Sequence, residues 1–351
     1  MTTAPSPHTR SIAWWLIVVA AMVFAMVVLG GATRLTESGL SMVQWKPLTV
    51  LPPIGAEQWQ TEFEHYQQSP QFQKENSWMQ VGDFQKIYWL EYLHRLWGRI
   101  IGFAFAVPFL FFLAKRAVDK PLAWKLGGLF ILGGAQGALG WFMVASGLVD
   151  RPEVSQYRLA AHFFTALILY AALIWVALDL FRASRPPEGE QVCDHRFVGY
   201  ATALPIAALL VMIAGAFVAS LDAGLIYNTF PLMEGRVVPH GLYDLSPWYL
   251  NWFENVKTVQ FNHRVLAIAL VLFVIALFCW SRLLEMSARA RLLITALLHM
   301  ALIQALLGIS TLLLVVPVSL GIAHQTGALI LFTLALCLAH TVRAPHALKA
   351  D

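Results

Sequence analysis

Charge is what this sequence has least of. Asp, Glu, Lys and Arg make up 13% of its 351 residues, where a soluble domain carries roughly 25%, so an ordinary water-soluble globule is excluded. Cysteine is nearly as scarce. Cys193, Cys279 and Cys337 are odd in number and include no CxxC pair, which leaves neither a disulfide framework nor a cysteine metal site. No basic stripe accompanies the pI near 9.0. Lys and Arg are scattered through short stretches between apolar segments, a distribution that fits membrane topology and gives no reason to expect nucleic acid as a partner. Uninterrupted apolar runs replace the alternating segments of about ten residues that a transmembrane β-barrel needs.

What is there is hydrophobic: 58% of the residues, with a mean hydropathy of +0.64. Segments 12–32, 88–113, 123–146, 158–180, 197–220, 259–280, 292–316 and 320–341 each meet the length of roughly 20 residues that crosses a bilayer. The expected fold is an all-α polytopic membrane protein with eight transmembrane helices in contact with membrane lipid. The run from Ile12 to Gly31 exceeds the about 7 to 15 residues of a signal-peptide core and is expected to stay as the first span. Residues 1–9 are too short and too poor in Arg for a mitochondrial presequence, so a bacterial plasma (inner) membrane is the simplest address. The short basic loops Lys115–Lys125 and Arg282–Arg291 place the N-terminus and C-terminus in the cytoplasm. The long loops 33–86 and 221–257 then face outward.

The chain also matches itself. GATRLTESGLSMVQWKPL (31–48) aligns with GAFVASLDAGLIYNTFPL (215–232), Gly31 over Gly215 and Gly39 over Gly224. EYLHRLWGR (91–99) aligns with QFNHRVLAI (260–268), AQGALG (135–140) with IQALLG (303–308), and AHFFTALILY (161–170) with AHQTGALILF (323–332). Four blocks in one order predict two four-helix bundles, residues 1–190 and 191–351, as parallel repeats.

Of eleven histidines, the repeat carries four: His94, His162, His263 and His324. They fall on the second and fourth helix of each half, within about two turns of the outer end. An ionisable residue inside a span is costly and is a functional candidate by default. Two imidazoles at one depth on two helices can close on a planar macrocycle from opposite faces, which points to haem; zinc would need further ligands that the second half lacks. Interfacial histidines bonded to loops or water are the alternative. His299 and His340 have no repeat partners and are expected to be structural.

The halves differ at one polar position. Glu91-x-x-His94-Arg95 aligns with Gln260-x-x-His263-Arg264, and a spacing of three puts Glu91 and Gln260 on the histidine face of their helices. A carboxylate can take a proton or stabilise a cation, whereas an amide can only hydrogen-bond. That asymmetry suggests a reactive first half and a second half holding a permanent redox cofactor. An ion pair of Glu91 with Arg95 or Arg99 is the other reading. Arg95 and Arg264 could pair with haem propionates or snorkel at a helix end. Gln136 and Gln304 match as interhelical polar contacts, and the glycines 127, 128, 133, 134, 137 and 140 allow close helix approach or room for a flat ligand.

These residues resemble haem A synthase, a bacterial and mitochondrial family of membrane enzymes, from GATRLTESGLSM to LGIAHQTGA. The resemblance implies an oxidoreductase for cytochrome oxidase biogenesis that converts haem o to haem a. It does so by oxidising one ring methyl, at C8, to a formyl group through successive hydroxylations. It implies that His94 and His162 ligate the substrate haem o, that His263 and His324 ligate a haem b cofactor, and that Glu91 is the catalytic carboxylate. A separate electron donor or acceptor, a homo-oligomer, and contacts with the haem o synthase or oxidase assembly factors are further implications. Cysteine is absent from both long outer loops, which places the chain nearer the cysteine-free subgroup of alphaproteobacterial and mitochondrial members. The rival reading is a non-enzymatic di-haem b electron-transfer cytochrome, which would need no carboxylate beside His94. A duplicated transporter and a DxxxD-dependent prenyltransferase lack the polar paths and motifs they require.

Overall fold

The computed structural model describes residues 8–44, 51–149, 152–184 and 194–343. Cys193 and the expected boundary at 190/191 lie outside the described residues. Ten α-helices follow in chain order: α1 Thr9–Leu35, α2 Ala56–Gln67, α3 Val81–Ala114, α4 Lys120–Ala145, α5 Gln156–Ala183, α6 His195–Ser220, α7 Asn251–Glu254, α8 Val256–Ser281, α9 Ala288–Leu313 and α10 Val318–Val342. All but α2 and α7 are long and apolar enough to cross a membrane, and no strand occurs among the described residues. The protein is a multi-pass membrane protein whose eight spans fall where the apolar runs predict them.

Helix ends follow local chemistry. Asp119 caps α4 by accepting from the backbone N–H of Leu122 at 2.9 Å, with Pro121 in the first turn, where its missing N–H costs nothing. Asn255 caps α8 and Ser287 caps α9 in the same way.

By packing, the described chain forms two compact units. One comprises Val19–Tyr170 with Ala219–Leu221, and the other the remaining described residues. In the first unit, α3 starts seven residues before the expected position 88. Its first turns, which carry Asp83 and Lys86, are not apolar enough to read as a span. They are helical because Phe84 and Tyr88 pack into an aromatic cluster with Phe63 and Tyr66 of α2. Tyr66 and Phe84 stack at a centroid distance of 5.1 Å, both fully buried. This extension puts His94 thirteen residues into its helix, deeper along the chain than expected, while His162, His263 and His324 lie six or seven residues into theirs.

A polar network locks the cluster. Tyr66 Oη donates to Gln71 Oε1 at 3.1 Å and accepts from Asn76 Nδ2 at 2.8 Å. Gln71 in turn donates to the carbonyl of Glu37 at 2.9 Å. Burial pushes the Tyr66 phenol up to about 12, so it stays a neutral donor throughout the physiological range. Tyr66→Phe strands the Asn76 and Gln71 groups and is expected to cost about 1–3 kcal/mol, measured as a lowered thermal midpoint in detergent. An unchanged midpoint would show that the network adds nothing to the aromatic packing.

In the second unit α8, α9 and α10 pack in sequence, with α10 the most buried of the spans. At its C-terminal end His340 is held by Asp179, with Nε2 2.9 Å from Oδ1, and Arg182 donates to the His340 carbonyl. His340 is thus a structural clasp between α5 and α10, as its lack of a repeat partner suggests. His299 contacts the carbonyl of Thr295 one turn earlier.

Candidate functional site

In the first unit, α1 ends at Leu35 and the chain reverses through Glu37, whose φ of 53° is left-handed, into a short 3-10 turn over Ser38–Leu40. That reversal brings Ser41 and Met42 against α3. Glu91, 3% exposed, accepts from Ser41 Oγ at 2.7 Å and from the backbone N–H of Met42 at 2.8 Å through Oε2. Its Oε1 is paired with Arg95, one turn further along α3, and Arg95 also donates to the Met42 carbonyl at 2.9 Å. Of the partners weighed from the sequence, Arg95 is the one that forms the pair. Sequence reasoning gives no signal for Ser41, because the residue aligned with it in the second half carries no hydroxyl.

The second unit repeats this scaffold with inverted polarity. Asp222 takes the left-handed conformation at φ 49°, and a 3-10 turn follows over Ala223–Leu225. Gln260 donates from Nε2 to the carbonyl of Tyr227 at 3.1 Å. Arg264 donates to the carbonyls of Tyr227 at 2.7 Å and Thr229 at 2.8 Å. A carboxylate that receives a backbone N–H has become an amide that gives to a backbone carbonyl. Both arginines are engaged with protein acceptors, and Arg264 Nε is buried with no partner among the described residues.

The four histidines occupy matched settings. His263 and His324 face each other in the second unit, ring centroids 6.4 Å apart and planes at 87°. His94 and His162 lie within electrostatic reach of each other in the first. Each ring rests on a helix glycine. A Cβ would fall 3.3 Å from His94 Nε2 at Gly30, 3.1 Å from His162 Cε1 at Gly140, 3.1 Å from His263 Cε1 at Gly215, and 2.7 Å from His324 Cε1 at Gly308. The structure shifts the aligned register by one residue here: Gly30, and not Gly31, holds the place of Gly215. The shift matches the left-handed residues Glu37 and Asp222, which share the same offset. Of the six glycines on α4, five have nothing within 4 Å of a Cβ, and only Gly140 makes a close contact.

Haem is a group these residues fit. Two imidazoles bound to one iron at about 2 Å each would hold their ring centres roughly 6 Å apart, the separation seen for His263 and His324. His162 Nδ1 and His263 Nδ1 are buried without a hydrogen-bond partner among the described residues. The donor set is four imidazoles, and among the described residues no cluster of three or more His, Cys, Asp or Glu side chains gathers to hold a metal ion by itself.

Residues 13–336 match the family model for the COX15-CtaA cytochrome oxidase assembly protein. The chain is 51% identical to the haem A synthase of Nitrosospira multiformis over 95% of this chain and 94% of the relative. It is 46% identical to that of Nitrosomonas eutropha over 93% and 92%. It is 45% identical to the haem A synthase COX15 of Arabidopsis thaliana over 94% of this chain and 74% of the plant protein.

Proposed function

The chain belongs to the COX15-CtaA family of cytochrome oxidase assembly proteins, and from this premise we propose that it is a haem A synthase, oxidising the C8 methyl of haem o to a formyl group by successive hydroxylations. The observation that carries the reading is two half-buried histidine pairs on one repeated scaffold with a single ionisable difference, Glu91 against Gln260. His94 and His162 hold the substrate haem o, and His263 and His324 hold a resident haem b. The resident haem supplies one-electron redox chemistry when bound.

With an imidazole available for each face of the substrate haem, the route that suits this chain would take two electrons from the macrocycle per hydroxylation, pass them to a separate electron acceptor, and add water at the methyl carbon with loss of two protons. Glu91 is the group placed to serve that step. A carboxylate has about four lone-pair sites, and Ser41, Met42 and Arg95 take three of them. Those donors fix the carboxylate in place, and the remaining site can accept the proton of an incoming water or face a developing cation. Gln260 cannot do either. Arg95 and Arg264, close to the histidines, are the propionate partners.

The address is a bacterial plasma membrane, with both termini cytoplasmic and the α2 cluster outside. Electrons pass to or from a separate redox partner, and the chain works as a homo-oligomer beside the haem o synthase or oxidase assembly factors. Haem extraction and mass analysis of cells producing haem o, with and without this chain, tests the activity. A new haem with a formyl in place of a methyl is the expected result. Haem b alone, with haem o available, would overturn it in favour of an electron-transfer cytochrome.

A further inference from the structure

The repeat carries one motif that the reaction itself does not use: Gln136-x-x-x-Gly140 on α4 and Gln304-x-x-x-Gly308 on α9. In each half this helix precedes the one bearing the second histidine of the pair. Gln136 donates from Nε2 to the carbonyl of His162 at 2.9 Å. Gln304 donates to the carbonyl of His324 at 2.9 Å, and its Nε2 also lies 3.1 Å from His324 Nδ1. One turn along, Gly140 and Gly308 are the surfaces on which the two imidazoles rest. Gln136 Oε1 and Gln304 Oε1 are buried and have no partner among the described residues. An amide with an unsatisfied buried oxygen is costly in an apolar span, so its retention beside the same histidine in both halves calls for a reason.

We infer that Gln-x-x-x-Gly is a histidine cradle, repeated once per haem, that sets the position and ring orientation of His162 and His324. The glutamine ties the main chain of the histidine-bearing helix to its neighbour. The glycine makes the interhelical gap wide enough for the Cε1 edge of an imidazole to approach the helix. Neither residue touches the reacting methyl in this account. They are positioning residues, of the kind that fix ligand orientation and tune the metal from outside its coordination sphere.

Sterics rank the two glycines. A methyl at Gly308 meets His324 at 2.7 Å, closer than side-chain Cβ atoms are found, so the ring must move. At Gly140 the contact is 3.1 Å, and His162 must give by a few tenths of an ångström. At Gly137, one turn earlier on α4, nothing lies within 4 Å, and a methyl should be silent.

The inference rests on the haem assignment above, and the experiment separates the two. Full-length Gly308→Ala, Gly140→Ala, Gly137→Ala and Gln304→Leu are purified in detergent beside His324→Ala. Each is read for haem per polypeptide and for the low-spin signature in electron paramagnetic resonance, with haem o added as the probe of the first half. Gly308→Ala is expected to lose or shift the resident low-spin signal, and Gln304→Leu to weaken resident haem binding by about 10- to 100-fold. Gly140→Ala should keep the resident signal and lose retention of haem o, and Gly137→Ala should match wild type. Wild-type spectra and haem content in Gly308→Ala, with His324→Ala depleted, would overturn the cradle and leave the haem assignment standing. Undiminished resident haem in His324→Ala would overturn the assignment itself and the cradle with it. Should Gly308→Ala not fold, Gln304→Leu decides: an unshifted spectrum and unchanged affinity overturn the cradle.

Discussion

Glu91→Gln is expected to leave the protein folded and haem-loaded, with its low-spin spectrum intact, while haem a formation falls by about 100-fold or more. The fold should survive because the second half already carries the product of this substitution. Gln260 occupies the aligned position beside Arg264, is buried, and is hydrogen-bonded to the same turn of chain. At position 91 the amide oxygen can still accept from Ser41 and from the Met42 N–H. What it cannot supply is the negative charge opposite Arg95 or a site for a proton. The comparison therefore isolates charge from shape. Mass analysis of haem extracted from cells making haem o reads the outcome, and a wild-type yield of the formyl product would remove Glu91 from the catalytic role. Glu91→Asp sharpens the test. It keeps the charge but withdraws it by one methylene from Ser41 and Met42, so partial activity is expected there and none in the amide.

The eight spans were legible because each is a long apolar run, and in a bilayer run length and helix length are nearly the same quantity. The histidines and Glu91 were legible because an ionisable side chain inside such a run stands out against its neighbours. What stayed hidden depends on contacts that no periodicity encodes. Asp83 and Lys86 read as loop, yet Phe84 and Tyr88 carry α3 two turns further by packing on α2. Ser41 became a partner of Glu91 only through the left-handed residue Glu37 and the turn behind it. Gly30 and Gly31 are adjacent and equivalent as letters, and only the placement of the His94 ring distinguishes them. Gln136 and Gln304 were visible as a matched pair, but the group they bind, the carbonyl of a histidine on the next helix, belongs to the packing alone.

The second large effect is expected at the paired rings of the second half. His324→Ala removes one of two imidazoles whose centroids stand 6.4 Å apart, and among the described residues no further His, Cys, Asp or Glu side chain completes a metal-holding group with them. Gln304 Nε2 lies 3.1 Å from the His324 ring, and an amide is a poor partner for haem iron. His263 would then hold the group from one face only, without the opposing contact that fixes the plane. The expected result is at least tenfold less resident haem per polypeptide, measured as the pyridine haemochrome, and loss of the bis-imidazole low-spin signal. His263→Ala should behave alike. His94→Ala and His162→Ala should retain the resident signal, because their pair lies in the other compact unit and shares none of these contacts, and should lose product because the substrate is no longer held. If all four substitutions deplete one and the same haem, the two-site assignment is wrong and the chain holds a single haem; if the depletion separates by half, substrate and cofactor sites are distinct, and the carboxylate that only one of them carries marks which is which.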